Sequence, residues 1–182
     1  MRALLWEYYE LGNYTRTVSL GEEWLSKFSS TDPYVYNIIH CACNALGQRR
    51  KGKEMLGKGL KYSPENSSLH FNMSLIVEKE EGVKKATEYL TQLPASVKDT
   101  SIIKLRIALL QLEQKDDIKA REIAKEYQDG GFSYLDDFDR GLLKQILKKL
   151  NIPFDQPEKS EQKKKSSFTQ GDLLRVKSDL PV

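Results

Sequence analysis

Histidines, cysteines and clustered charges are the side chains that most readily do chemistry, and this sequence has few arranged to do it. His40 and His70 are its only two histidines. A helical zinc site needs two imidazoles one turn apart beside a glutamate. No His-Glu-x-x-His run occurs, and no other Cys/His spacing suits zinc. Cys41 and Cys43 flank Ala42, which is not a Cys-x-x-Cys redox motif, and side chains two apart on a helix diverge. Cys43 stands in a position filled elsewhere by Val77 and reads as core. There is no glycine-rich phosphate loop, no Gly-x-Ser-x-Gly elbow and no carboxylate pair in an apolar setting. The run Arg49-Arg50-Lys51-x-Lys53 reads as a solvated turn between helices, with an acidic-partner site as the alternative. The expectation is no enzyme, no metal site and no cofactor.

The elements that would position any site follow from composition and punctuation. Of 182 residues, 39% are hydrophobic and 30% charged, and 29 basic against 26 acidic side chains leave a net charge of +3. That balance argues against a dedicated nucleic-acid or membrane surface. No apolar run of about 18 residues could span a bilayer. Glu7 comes too early for a secretory signal, and two cysteines build no disulfide framework, so the expected location is cytoplasmic. Prolines at 33, 64, 94, 153, 157 and 181 leave 34–63, 65–93 and 95–152 free to be helical. Each stretch weakens near its middle, at Leu46-Gly47-Gln48, Glu81-Gly82 and Lys115-Asp116-Asp117. The unit is helix, tight turn, helix.

The units repeat. With starts at Pro33, Ser67 and Ser101 the spacing is 34 residues, and physical types align. Val35, Leu69 and Ile103 share one column; Ile39, Met73 and Ile107 a second; Ala42, Ile76 and Leu110 a third. Steps of four and three place them on one helix face that must be covered. In the second helix, Gly52, Ala86 and Ala120 form a small-residue column, where helices can approach closely. An N-terminal unit fits with an offset of 35, matching Leu11-Gly12 to Leu46-Gly47. Its sizes are partly inverted, with Thr17, Gly21 and Trp24 standing where Gly52, Leu56 and Gly59 do. The alternative to a repeat array is an irregular helical bundle.

These columns resemble the tetratricopeptide repeat, a 34-residue antiparallel helix pair with small residues near columns 8, 20 and 27, a turn glycine, and proline near column 32. Gly47, Gly52, Gly59 and Pro64 carry the pattern in unit two; Gly12 and Tyr14 in unit one; Ser74 and Ala86 in unit three; Ala108 and Ala120 in unit four. His40 departs from it at column 8, as do Leu93 and Tyr127 at column 27. The resemblance implies an all-α fold, a right-handed superhelix of antiparallel helix pairs (an α-α solenoid), over residues 1–150. Its units fall at about 1–32, 33–66, 67–100 and 101–130. A capping helix is expected at 134–150, where Asp136, Asp137 and Asp139 precede Phe138, Leu142, Ile146 and Leu150 and lysines gather late. Residues 151–182 read as a flexible polar tail. The first unit opens about one turn late, so an array cut short at its N-terminus, or with a bare end, is expected.

The resemblance further implies a concave groove lined by first helices. It would present Tyr34, Asn37, Cys41 and Asn44; then Ser68, Phe71, Leu75 and Glu78; then Ile102, Leu105, Leu109 and Leu112. Asn72 and Arg106 match two positions of a subfamily's carboxylate clamp, whereas Asn37, Cys41 and Ile102 depart from the other three, so chaperone-tail binding is not expected. The residues expected to contact a partner are Tyr34, Asn37, Cys41, Phe71, Asn72, Leu75, Arg106 and Leu109. The expected function is a non-catalytic scaffold binding a peptide or helical segment. RNA binding in the manner of pentatricopeptide repeats is the alternative, disfavoured by the small net charge. The helix at 101–113 is apolar on two faces. Its second covering is the 134–150 helix, a partner, or the chain's own tail through Phe168 to Val176.

Overall fold

The computed structural model describes residues 1–28, 30–129 and 135–153. The expected tail, with its candidate self-ligand Phe168 to Val176, lies outside them. Ten helices occur among the described residues: α1 Arg2–Glu10, α2 Tyr14–Phe28, α3 Pro33–Ala45, α4 Arg49–Tyr62, α5 Ser67–Glu81, α6 Val83–Thr91, α7 Ala95–Lys98, α8 Ser101–Glu113, α9 Asp117–Asp129 and α10 Asp137–Lys149. No strand occurs among these residues. The three helices α3, α5 and α8 begin at Pro33, Ser67 and Ser101, one repeat apart. The single-turn α7 follows Pro94, its N-cap, and lies within the unchanged 34-residue spacing. The chain forms two compact units, the first running to Ile76 and the second starting at Val77, inside α5.

The inter-helix turns have a common physical origin. Gly12 and Gly47 have φ of +73°, a conformation only glycine adopts without strain. After each, the next amide reaches back to close the helix: Asn13 N–H to Tyr8 O at 2.9 Å, and Gln48 N–H to Cys43 O at 2.8 Å. The same closure ends α8, through Asp116 N–H to Gln111 O at 2.9 Å, but there Lys115 takes the left-handed position with φ 63°. Three such turns fold α1 on α2, α3 on α4, and α8 on α9.

In the first unit the core joins Leu5, Val18, Val35, Ile39, Ala42, Cys43 and Met55. The repeat stripe is fully buried in α3 and α8 but only half-buried at Met73 and Ile76 of α5. Helix contact is set by missing side-chain atoms. A Cβ on Gly59 would stand 2.9 Å from Tyr36 Cβ and 3.0 Å from Leu69 Cδ1; one on Gly52 would meet Asn44 Oδ1 at 3.1 Å and His40 Nδ1 at 3.2 Å. In the N-terminal unit the close approach moves one turn on: a Cβ on Gly21 would come within 2.6 Å of Ile39 Cγ1. This resolves the inverted sizes of that unit, since Gly21 rather than Thr17 admits the neighbouring helix. In the second unit Ala86, Ala120 and Ala124 are fully buried, α8 packs against α6, α7, α9 and α10, and α10 also touches α9. Asp136 caps α10 by accepting from Asp139 N–H at 2.8 Å.

His40 is sealed in the α3–α4 contact at 1% exposure. Its Nε2 lies 2.9 Å from Asn44 Nδ2, and its Nδ1 has no hydrogen-bond partner. With the Asn44 amide donating, Nε2 accepts and the ring is neutral. Burial depresses the imidazole to about 4, the Gly52 backbone acting weakly the other way.

Two outcomes are expected in urea titrations. Gly57→Ala, where nothing lies within 4 Å of the added methyl, should stabilise the protein by about 0.5–1 kcal/mol through helix propensity. Gly59→Ala should destabilise it by about 1–3 kcal/mol through overpacking; equal effects would refute the packing account. The second outcome concerns pH. The unfolded chain protonates His40 near 6.5 and the folded chain only near 4, so the unfolded state binds more protons in between. Stability is then complete above about pH 6.5 and declines as pH falls toward 4, by up to about 3 kcal/mol. Comparing wild type with His40→Gln between pH 7 and 4 isolates this loss.

Candidate functional site

The first-helix residues of the N-terminal unit meet around the start of α3. Asp32 precedes Pro33 and accepts from Tyr34 N–H at 3.0 Å, capping the helix. Its carboxylate also accepts two bonds from Arg2, at 2.7 and 2.8 Å, and Tyr34 Oη donates to Arg2 O at 3.1 Å. Arg2 therefore locks α1 to α3, with its guanidinium 5.7 Å from the Tyr34 ring centre. Tyr34 is 1% exposed. Its phenol is pushed well up, first by burial and then by Cys41, with Arg2 opposing. Tyr9 is raised for the same two leading reasons. Cys41, also buried, has its thiol pushed up to about 12 by desolvation, so it is protonated at neutral pH and is no nucleophile.

Half-buried aromatic rings adjoin these groups. Trp6 stacks on Tyr9 with centroids 5.8 Å apart, and Tyr9 meets Tyr14 at 5.3 Å. The groove assignment from sequence left out the first unit. The offset of 35 that aligns Leu11 with Leu46 also aligns Arg2, Trp6 and Tyr9 with Asn37, Cys41 and Asn44, and that signal could have found them.

Asn37 of α3 and Asn72 of α5 are brought together and buried. Asn72 Nδ2 donates to Asn37 Oδ1 at 2.7 Å, leaving Asn72 Oδ1 without a hydrogen-bond partner. Phe71 is buried beside Asn72 in sequence, and Leu75, one turn later on the same helix, is half-buried. His70 lies off this face, with Nε2 2.8 Å from Pro64 O.

In the second unit Arg106 is 6% exposed and bound to Glu78. Glu113 has its carboxyl raised by burial, by a hydrogen bond to Glu78 and by repulsion from it, while Lys149 stands 3.8 Å away. Two carboxylates thus share one guanidinium and one ammonium group. Leu109 is buried at 6% exposure, as are Ile102 and Leu105, while Leu112 is half-buried; α10 packs on α8 and supplies the covering within this unit. Neither Asn72 nor Arg106 stands free to hold a terminal carboxylate. Among the described residues no three His, Cys, Asp or Glu side chains form a metal-binding group, and no helix is long and apolar enough to cross a membrane.

No protein-family profile matches the chain, and no curated protein sequence matches it. Among solved structures it is similar to a thermophilic TPR protein of Thermus thermophilus. The TM-score is 0.62 at 17% identity, with 84% of this chain and 82% of that chain covered. The fold is therefore that of a tetratricopeptide-type α-helical solenoid.

Proposed function

We propose that the chain is a non-catalytic scaffold whose first helices hold a segment of another protein. In the N-terminal unit the reading rests on Tyr34, Asn37, Cys41, Phe71, Asn72 and Leu75. Arg106 and Leu109 belong to it as the corresponding first-helix positions of α8. One observation carries the proposal: Asn72 Oδ1 is buried with no partner. A buried acceptor left unmade costs about 1–3 kcal/mol. A backbone N–H of a segment that wedges between α3 and α5 at this point would satisfy it. Leu75 and the stacked Trp6 and Tyr9 rings, all half-buried, supply apolar contact for side chains entering from the rim. The muted reactivity of His40 and Cys41 supports a binding role over catalysis, and two buried unpaired cysteines suit a cytoplasmic protein.

The test is selection of displayed peptides against wild type, then rebinding to Asn72→Ala and Leu75→Glu, with circular dichroism verifying the fold. Selected peptides should bind Asn72→Ala at least about tenfold more weakly, the value of one buried hydrogen bond. Peptides that bind both variants as well as wild type would remove the first-helix face from consideration. Tight single-stranded RNA binding at about 0.15 M salt would replace the reading altogether.

A further inference from the structure

Helix α4 carries Arg49, Arg50, Lys51, Lys53, Lys58 and Lys61 against one carboxylate, Glu54. Its charge is +5 in a chain of net +3, so everything else sums to −2. The apolar side of α4, Met55 and Leu56 with Gly52 and Gly59, is buried, and the cations lie on the other side. Lys51 pairs with Glu22 at 2.8 Å, and Lys58 with Glu54 at 2.7 Å. Arg50, Lys53 and Lys61 are exposed in one row, at steps of three and eight residues, spanning about 16 Å of helix. Arg50 and Lys61 have no ion pair among the described residues.

Two features of this row oppose stability. Arg49, Arg50 and Lys51 crowd the first turn, where the helix dipole disfavours cations, and no acidic residue occurs in that turn. Gly57 lies within the row, in the middle of the helix. Gly52 and Gly59 are required by helix contacts, but a Cβ on Gly57 would meet nothing within 4 Å. A helix-interior glycine weakens the helix and here has no packing reason.

We propose that this outer face of α4 docks an acidic helical segment of a partner protein, whose carboxylates meet Arg50, Lys53 and Lys61 and whose backbone comes close at Gly57. Charge complementarity selects the partner, and the bare glycine sets the distance of approach. A phosphate polymer fits less well. Nucleic-acid surfaces neutralise about 6–10 phosphates, whereas this row has three cations, bordered by Glu22 and Glu54. The surface is separate from the first-helix face, so Asn72→Ala leaves it intact.

The experiment uses the full chain and three labelled probes. One is an alanine-based helical peptide of about 15 residues with glutamates spaced like Arg50, Lys53 and Lys61. The second is its glutamine counterpart. The third is single-stranded poly(U) of about 15 nucleotides. At about 0.05 M salt the glutamate peptide should bind at least about tenfold tighter than the glutamine peptide, and added salt should weaken it. The double variant Arg50→Glu/Lys61→Glu should lose at least about tenfold, and Gly57→Leu a similar factor, with the melting temperature of Gly57→Leu unchanged or raised. Equal binding of the two peptides, or indifference to the double charge reversal or to Gly57→Leu, would overturn the proposal. Poly(U) binding more tightly than the glutamate peptide would overturn it in favour of a phosphate-binding face.

Discussion

The packing depends on helices coming together at points where a single extra carbon has no room. A helix pair cannot bury its own apolar stripe, so each must be pressed against a neighbour. How closely is decided by Gly59 against Tyr36 and Leu69, Gly52 against His40 and Asn44, and Gly21 against Ile39. Further consequences follow from that distance. It seals His40 until its imidazole stays neutral to about pH 4, and it leaves Val35, Ile39 and Leu69 with no exposed surface. The N-terminal lock of Arg2, Asp32 and Tyr34 acts in the same sense, fixing the entry of α1 against α3 with charge-assisted hydrogen bonds.

Much of this was legible in residues alone, because the period of 34 and the turn glycines have local causes. Gly12 and Gly47 are needed for left-handed backbone, and α3, α5 and α8 start where the repeat columns put them. The stripes on α3 and α8 could be read from steps of three and four. What could not be read was coverage. A pattern says which side of a helix is apolar, not how deeply a neighbour buries the other side. Asn37, Cys41, Leu105 and Leu109 therefore looked like open groove residues and are buried. The Asn37–Asn72 hydrogen bond joins residues 35 apart and has no local signature. The close approach at Gly21 was masked because Thr17 occupies the column where a glycine was sought.

The packing that makes the fold also quiets two side chains that could otherwise react, His40 and Cys41. An imidazole or thiolate serves as base or nucleophile only when its ionised and neutral forms are close in energy at working pH. Cys41 is pushed up to about 12 and His40 down to about 4, so each is fixed in its neutral form by the helix contact that surrounds it. Loosening that contact to free either group would separate helices whose association the fold requires.

Natural sequences are locally consistent with their folds except where something else is asked of them. Several inconsistencies survive once packing is accounted for, and three of them lie on the proposed surfaces. Asn72 Oδ1 is buried and unmet; cations stand at the unfavourable end of α4; and Gly57 interrupts that helix without neighbours. The first faces the interior of a first helix and the other two an outer face, so one partner segment cannot satisfy all three at once. A fold made of stacked helix pairs allows this division, because its first and second helices present different surfaces and carry different constraints. The first helices can vary only in polar residues that still pack, while the outer side of a second helix can change charge without disturbing the core. On the proposed reading, recognition by hydrogen bonding falls to α3 and α5, and recognition by charge to α4.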